Sequence, residues 1–128
     1  MLDPKSLRYC ASHEWVSLDG DLATIGISKF AVDQLTDLIV IDLPPVGKTL
    51  VAGKSFGEIE SVKAVSDIYA PVAGVVVEVN AAVAADVQVL AHDPYNAGWL
   101  VKIRVSSPDL SGLMDHDAYQ AKVAHEAH

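Results

Sequence analysis

The sequence predicts a mainly β domain, built as a sandwich or flattened barrel, with short helices at its periphery and C-terminal end. Three observations predict it. Short apolar runs alternate with polar residues and are punctuated by Gly and Pro turns. Val, Ile and Leu far outnumber the aromatics, which make up only 6% of the chain, as suits a compact core of β-branched side chains. Helical spacing is confined to a few short stretches, most of them late in the chain. With 128 residues and no linker, tandem repeat or low-complexity block, residues 1–128 read as one domain, with a core spanning 7–119 and a tail at 120–128.

In chain order, His13 to Leu18 alternates as a strand, Asp19-Gly20-Asp21 supplies a turn, and Leu22 to Ile27 returns as the second strand of a hairpin. Ser28 is placed to cap a short helix on which Phe30, Ala31, Gln34 and Leu35 recur at helical spacing. Leu38 to Leu43 is an apolar strand ended by Pro44-Pro45-Val46-Gly47. Lys48 to Ala52 is short and extended, and Gly53-Lys54 turns into a strand over Ser55 to Ser61. Past Pro71-Val72-Ala73-Gly74, the alternation of Val75, Val77 and Val79 with Val76 and Glu78 signals a half-buried strand. Asn80 to Val89 is Ala- and Val-rich and fits helix or loop equally. Asp93 to Gly98 has turn chemistry, and Trp99 to Val105 is a strand. Ser107-Pro108 opens a helix with Leu110, Leu113 and Met114 as its buried stripe, and a last helix covers Asp117 to about Val123.

Composition narrows the function. The net charge is −8, and no basic patch of the kind that tracks a phosphate backbone is present, so nucleic acid is not an expected partner. An acidic surface suits solubility and steering toward basic partner surfaces. No apolar run reaches the roughly 20 residues of a membrane helix, and Met1 to Lys5 resembles neither a signal peptide nor an Arg-rich transit segment. The single Cys10 rules out an intramolecular disulfide or a multi-cysteine zinc site and reads as a packing residue. His13, His92, His116, His125 and His128 are scattered without metal-ligand spacing, and no nucleophile elbow, phosphate loop or dinucleotide fingerprint occurs. No catalytic residue and no metal site is assigned.

Lys63 stands out on physical grounds. It falls where two extended segments reverse around Val62-Lys63-Ala64, so its side chain should project from a tip. Glu58, Glu60 and Asp67 lie nearby, while the small Ser61, Ala64 and Ser66 leave room for another protein's active site. A modifying enzyme needs such an accessible amine to attack an activated acyl group, which removes the lysine's charge. By these features alone, a solvated turn lysine remains the simpler account.

The wider context favours modification. The run from Phe56 through Glu58-Ile59-Glu60-Ser61-Val62-Lys63-Ala64 to Tyr69-Ala70-Pro71-Val72-Ala73-Gly74 and Asn80 closely resembles the lipoyl segment of the glycine cleavage system H-protein family. Ser12-His13-Glu14-Trp15-Val16, Ala23 to Ile27, Leu43 to Gly47, Asp93-Pro94-Tyr95 and Gly98 to Ile103 match the same family in the same order, from about Leu7 to Tyr119. The resemblance implies a hybrid barrel-sandwich of the lipoyl/biotinyl carrier kind, with lipoate attached covalently to Lys63 on a hairpin. It implies a non-catalytic, monomeric carrier whose dithiolane receives the aminomethyl group of glycine from glycine decarboxylase and presents it to aminomethyltransferase, where tetrahydrofolate takes the one-carbon unit. Dihydrolipoamide dehydrogenase would reoxidise the dithiol, and a lipoate ligase or lipoyltransferase would load the lysine. A tethered intermediate visits successive sites at high effective concentration. The family parks the labile loaded arm in a cleft, for which Glu14 of the His-Glu-Trp motif is the foremost candidate contact, with Ser12, Gln34 and Asp67 behind it; the alternative for Glu14 is an exposed strand carboxylate. Trp15 and Trp99 are expected to pack. The expected compartment is the bacterial cytoplasm, or the mitochondrial matrix if a transit peptide has been removed.

Some positions depart from the family pattern. Thr36 stands where Gly is usual, Lys29-Phe30-Ala31-Val32 replaces a more polar stretch, Val87 and Ala91 replace Pro and Asn, and Asn96 replaces a frequent Gly. These bear on partner docking and on the loop before Asp93, and leave room for an H-like lipoate relay that donates the cofactor to other enzymes. A biotin carrier would have Met on both sides of the lysine, where Val62 and Ala64 stand, and oxo-acid dehydrogenase lipoyl domains usually show Asp-Lys-Ala.

Overall fold

The computed structural model describes residues 3–106, 110 and 112–126. After a 3-10 turn at Pro4–Ser6, the strands are β1 (Arg8–Tyr9), β2 (Glu14–Asp19), β3 (Leu22–Ile27), β4 (Leu38–Asp42), β5 (Thr49–Leu50), β6 (Ser55–Ser61), β7 (Val65–Tyr69), β8 (Gly74–Val79) and β9 (Val101–Arg104). The helices are α1 (Lys29–Leu35), α2 (Ala81–Ala85), α3 (Gln88–His92) and α4 (His116–Glu126). Strands β1-β2-β3-β9-β8-β5 form one antiparallel sheet and β4-β6-β7 a second. This is the mainly β, two-sheet architecture that the alternating sequence pattern predicts.

The core follows from that alternation. Ile25, Val76, Val101 and Ile103 from the larger sheet join Ile41, Ile59 and Ile68 from the smaller one in a single buried cluster. Each fully buried aliphatic side chain contributes roughly 1.5–3 kcal/mol. In β8, Val76 faces this core, whereas Val75 and Val77 remain exposed. The ladder with β9 shifts between Val76 and Glu78, which breaks strict alternation. A second cluster of Leu7, Tyr9, Trp15 and Tyr119 seats α4 against the body. There the rings of Tyr9 and Tyr119 stack with centroids 4.2 Å apart.

Gly26 sits directly opposite Trp15 in the β2–β3 ladder, and a Cβ there would lie 2.3 Å from the indole Cζ2. The missing side chain lets the buried indole lie across the strand, where its N–H is shared between the carbonyls of Ile27 and Pro94. Trp15 is therefore a packing residue, as expected. Trp99 packs on the edge of the same cluster, with the Lys102 ammonium 4.8 Å from its ring centroid.

Three segments differ from expectation or resolve an open choice. Asn80 to Val89 holds α2 and the start of α3, because Asn80 caps α2 by accepting the Ala82 and Val83 N–H groups. Its amide also donates to the carbonyls of Ala97 and Trp99, a tertiary tie invisible in an Ala-rich stretch. The helix expected from Ser107-Pro108 falls largely outside the described residues. Met114, expected in its buried stripe, instead pairs with Tyr9 in an antiparallel bridge, which satisfies its backbone better than a short helix end would. Finally, the helix expected over Asp117 to about Val123 is α4, and it runs on to Glu126, so residues 124–126, expected as polar tail, continue it.

Candidate functional site

Lys63 lies exposed at the turn of the β6–β7 hairpin. Ser61 clamps that turn: its N–H donates to the Ala64 carbonyl at 2.8 Å, and its hydroxyl meets both the N–H and the carbonyl of Ala64 at 3.2 Å. The Val62 N–H donates to the Asp37 carbonyl at 3.1 Å, which ties the tip to the loop after α1. In that loop Thr36 and Asp37 both adopt the left-handed region, at φ 46° and 40°. A β-branched residue there is strained, and glycine would adopt this backbone without that strain. The backbone of the tip is thus fixed while its side chains stand free: Val62 is 73% exposed, and Lys63 joins none of the ion pairs among the described residues.

A cavity of about 310 Å³ opens beside this hairpin, between the start of β2, α1, the middle of β6 and β7, and the last residue of α4. Ser12, Glu14, Gln34 and Asp67, the four residues singled out from sequence, all line it. Ile27, Phe30, Leu35 and Ile59 supply an apolar wall. Ser66 and Asp67 place that wall three to four strand residues from Lys63, about 13 Å along β7 at most.

Glu14 is 2% exposed, which overturns the alternative of an exposed strand carboxylate. One of its oxygens accepts from the Ser12 hydroxyl, and the other accepts from the Tyr69 N–H at 3.0 Å. Burial raises its pKa above the ordinary carboxylate value, while those hydrogen bonds act in the opposite direction. Asp67 and Gln34 are exposed on the rim, and Asp67 accepts from the Ser55 hydroxyl at 3.2 Å. Cys10, half-buried beside Glu14, has its thiol pushed up to about 12 by burial, then by the neighbouring carboxylate. Such a thiol is unreactive at neutral pH, in keeping with a packing role.

Sequence reasoning missed His13 and Glu126, which also line the cavity. His13 carries a signal in the His-Glu-Trp run, but Glu126 was hidden in a segment read as tail. Among the described residues, no helix is long and apolar enough to cross a membrane.

An exposed amine on a clamped hairpin of a two-sheet β domain defines a class: carrier domains that present a side chain to other proteins rather than catalyse by themselves. The comparisons with known proteins agree. The chain belongs to the glycine cleavage H-protein family, whose model matches residues 7–126. It is 55% identical to the glycine cleavage system H protein of Acaryochloris marina (strain MBIC 11017), over 94% of each chain. It is 50% identical to that of Gloeothece citriformis (strain PCC 7424), over 97% of this chain and 96% of the other. The crystal structure of a glycine cleavage system H protein from Mycobacterium marinum superposes with a TM-score of 0.88 at 38% identity, covering 95% of this chain and 99% of that one. The family is one of lipoyl-bearing carrier subunits and not of catalysts.

Proposed function

We propose that this chain carries lipoate covalently on Lys63 and shuttles the aminomethyl group of glycine from glycine decarboxylase to aminomethyltransferase. The observation that carries the reading is the pairing of a free lysine on a rigid tip with an adjacent cavity of mixed character. The residues present fit the group: the apolar wall of Ile27, Phe30, Leu35 and Ile59 suits an aliphatic arm, and the buried Glu14 suits a cationic amine at its end. When bound, lipoate supplies a sulfur pair that accepts and releases the one-carbon unit.

The chain's own residues attach, orient and shelter. Ser61 holds the tip so that Lys63 is presented in one orientation. Glu14, already aimed by Ser12 and Tyr69, offers a preorganised acceptor, and an approaching cation would favour its ionised form. Gln34 and Asp67 at the rim close the polar end, and the apolar wall excludes water from the arm. In this reading dihydrolipoamide dehydrogenase restores the disulfide, a lipoate ligase or lipoyltransferase loads Lys63, and the protein works as a monomer in the cytoplasm, as for a soluble bacterial system.

Reconstitution tests this directly. Loaded in the presence of glycine and glycine decarboxylase, the lipoylated chain should pass a one-carbon unit to tetrahydrofolate once aminomethyltransferase is added. A chain that accepts no aminomethyl group, yet gives up lipoate to a lipoyl amidotransferase, would instead establish the relay role suggested by the departures at Thr36, Phe30 and Val87.

A further inference from the structure

A line of hydrogen bonds ties the C-terminal helix to the cavity wall. His13 lies in that wall next to Glu14, with its backbone in the left-handed region at φ 81°. Its N–H donates to the Cys10 carbonyl at 3.0 Å, and its carbonyl accepts from the Ser28 N–H at 2.9 Å. Its ring spans two residues of α4: Nδ1 is 2.8 Å from the Tyr119 hydroxyl, and Nε2 is 3.0 Å from the Glu126 carboxylate. Phe30 flanks the ring, with centroids 5.1 Å apart.

The protons in this line can be assigned. Burial lowers the pKa of His13, and the Lys122 charge acts the same way, so the ring is neutral near pH 7 and carries one N–H. An ionised carboxylate only accepts, which puts that hydrogen on Nε2 and leaves Nδ1 as an acceptor for the Tyr119 hydroxyl. Burial pushes the Tyr119 phenol up to about 12, so it keeps the hydrogen it donates. The phenol oxygen accepts from the Ser28 hydroxyl at 2.5 Å, while the Ser28 oxygen accepts from the Ala31 N–H at the start of α1. Each donor is used once, and the line ends on Glu126. That carboxylate is held from its other side by Lys122, one helical turn earlier.

We propose that Glu126, on the last turn of α4, is a positioning residue for the carried arm. It fixes the His13 ring as part of the cavity wall and makes the end of α4 a strap beside Glu14. The proposal rests on the reading of this cavity as the shelter of the arm. A ring bonded at both nitrogens does not turn to admit water. Without the Glu126 acceptor, the Nε2–H loses its protein partner and the wall next to Glu14 loosens.

The test uses the full chain, lipoylated and loaded with the aminomethyl group. Its lifetime without partners is read from the formaldehyde and ammonium released as water cleaves the carbon–sulfur bond. Glu126→Ala should shorten that lifetime about three- to tenfold, the worth of one hydrogen bond. Glu126→Gln keeps a carbonyl acceptor and should restore it. In the unmodified chain, nitrogen NMR of the His13 ring should show the Nε2–H form in the parent and in Glu126→Gln, and a mixture of tautomers in Glu126→Ala. An unchanged lifetime in Glu126→Ala, or a Gln variant no better than the Ala variant, would overturn the proposal. Intact mass separates the two possible failures. A chain without lipoate on Lys63 overturns the functional reading and this proposal together, whereas a lipoylated chain with equal lifetimes overturns this proposal alone.

Discussion

The carboxylate of Glu14 accepts a hydrogen bond from the backbone N–H of Tyr69 at 3.0 Å, joining the start of β2 in one sheet to the end of β7 in the other. One buried acid thereby serves both the cavity and the seam between the sheets. Its environment is partly satisfied, by Ser12 and Tyr69, and partly desolvated, and among the described residues no cation pairs with it.

Glu14→Ala should shorten the lifetime of the aminomethylated form by about tenfold, as expected for losing a hydrogen bond to a charged group. The release of formaldehyde without partners measures it. An unchanged lifetime would remove Glu14 from the arm site.

The same residue has a pH signature. Because burial raises its folded pKa, the folded chain binds more protons here than the unfolded chain between 4.5 and the raised value. The stabilising contribution is therefore present below 4.5 and is lost as pH rises through the folded pKa. Glu14→Gln should melt at higher temperature than the parent at pH 7, and the gap should close as pH falls toward 4.5. A gap independent of pH would mean the carboxylate is not desolvated.

Thr36→Gly should stabilise the fold by about 0.5–1 kcal/mol, since relief of a β-branched residue at φ 46° exceeds the added chain entropy of glycine. Denaturant unfolding measures it. Because Asp37 holds the Val62 N–H, the hairpin tip should also show slower amide exchange in this variant.

Gly26→Ala acts in the opposite direction. The new methyl would meet the Trp15 ring, which is buried and bonded to two carbonyls, so it cannot retreat cheaply. A loss of about 2–3 kcal/mol is expected, with a change in tryptophan fluorescence reporting the displaced indole.

Much of this was legible in the sequence where local chemistry and tertiary structure agree. The β2–β3 hairpin, the Ser28 cap and the strand Ser55–Ser61 follow from alternation and turn residues, and the structure places them at the expected positions. Legibility failed where a distant partner decides. Asn80 starts a helix because Ala97 and Trp99 hold its amide, and Met114 extends because Tyr9 offers a strand edge. The candidates Ser12, Glu14, Gln34 and Asp67 were legible only through the family resemblance, since nothing local says that β2, α1 and β7 meet around one cavity. His13 and Glu126 were missed for the same reason, lying more than a hundred residues apart in sequence and 3.0 Å apart in space.

Lys63 remains the centre of the account, and one measurement tests it most directly: intact mass of the chain after expression with lipoate and a lipoate ligase. The chain should gain the mass of a single lipoyl group, and Lys63→Ala should gain none. A parent chain that stays unmodified, or a Lys63→Ala chain that still carries the lipoyl mass, would contradict the account.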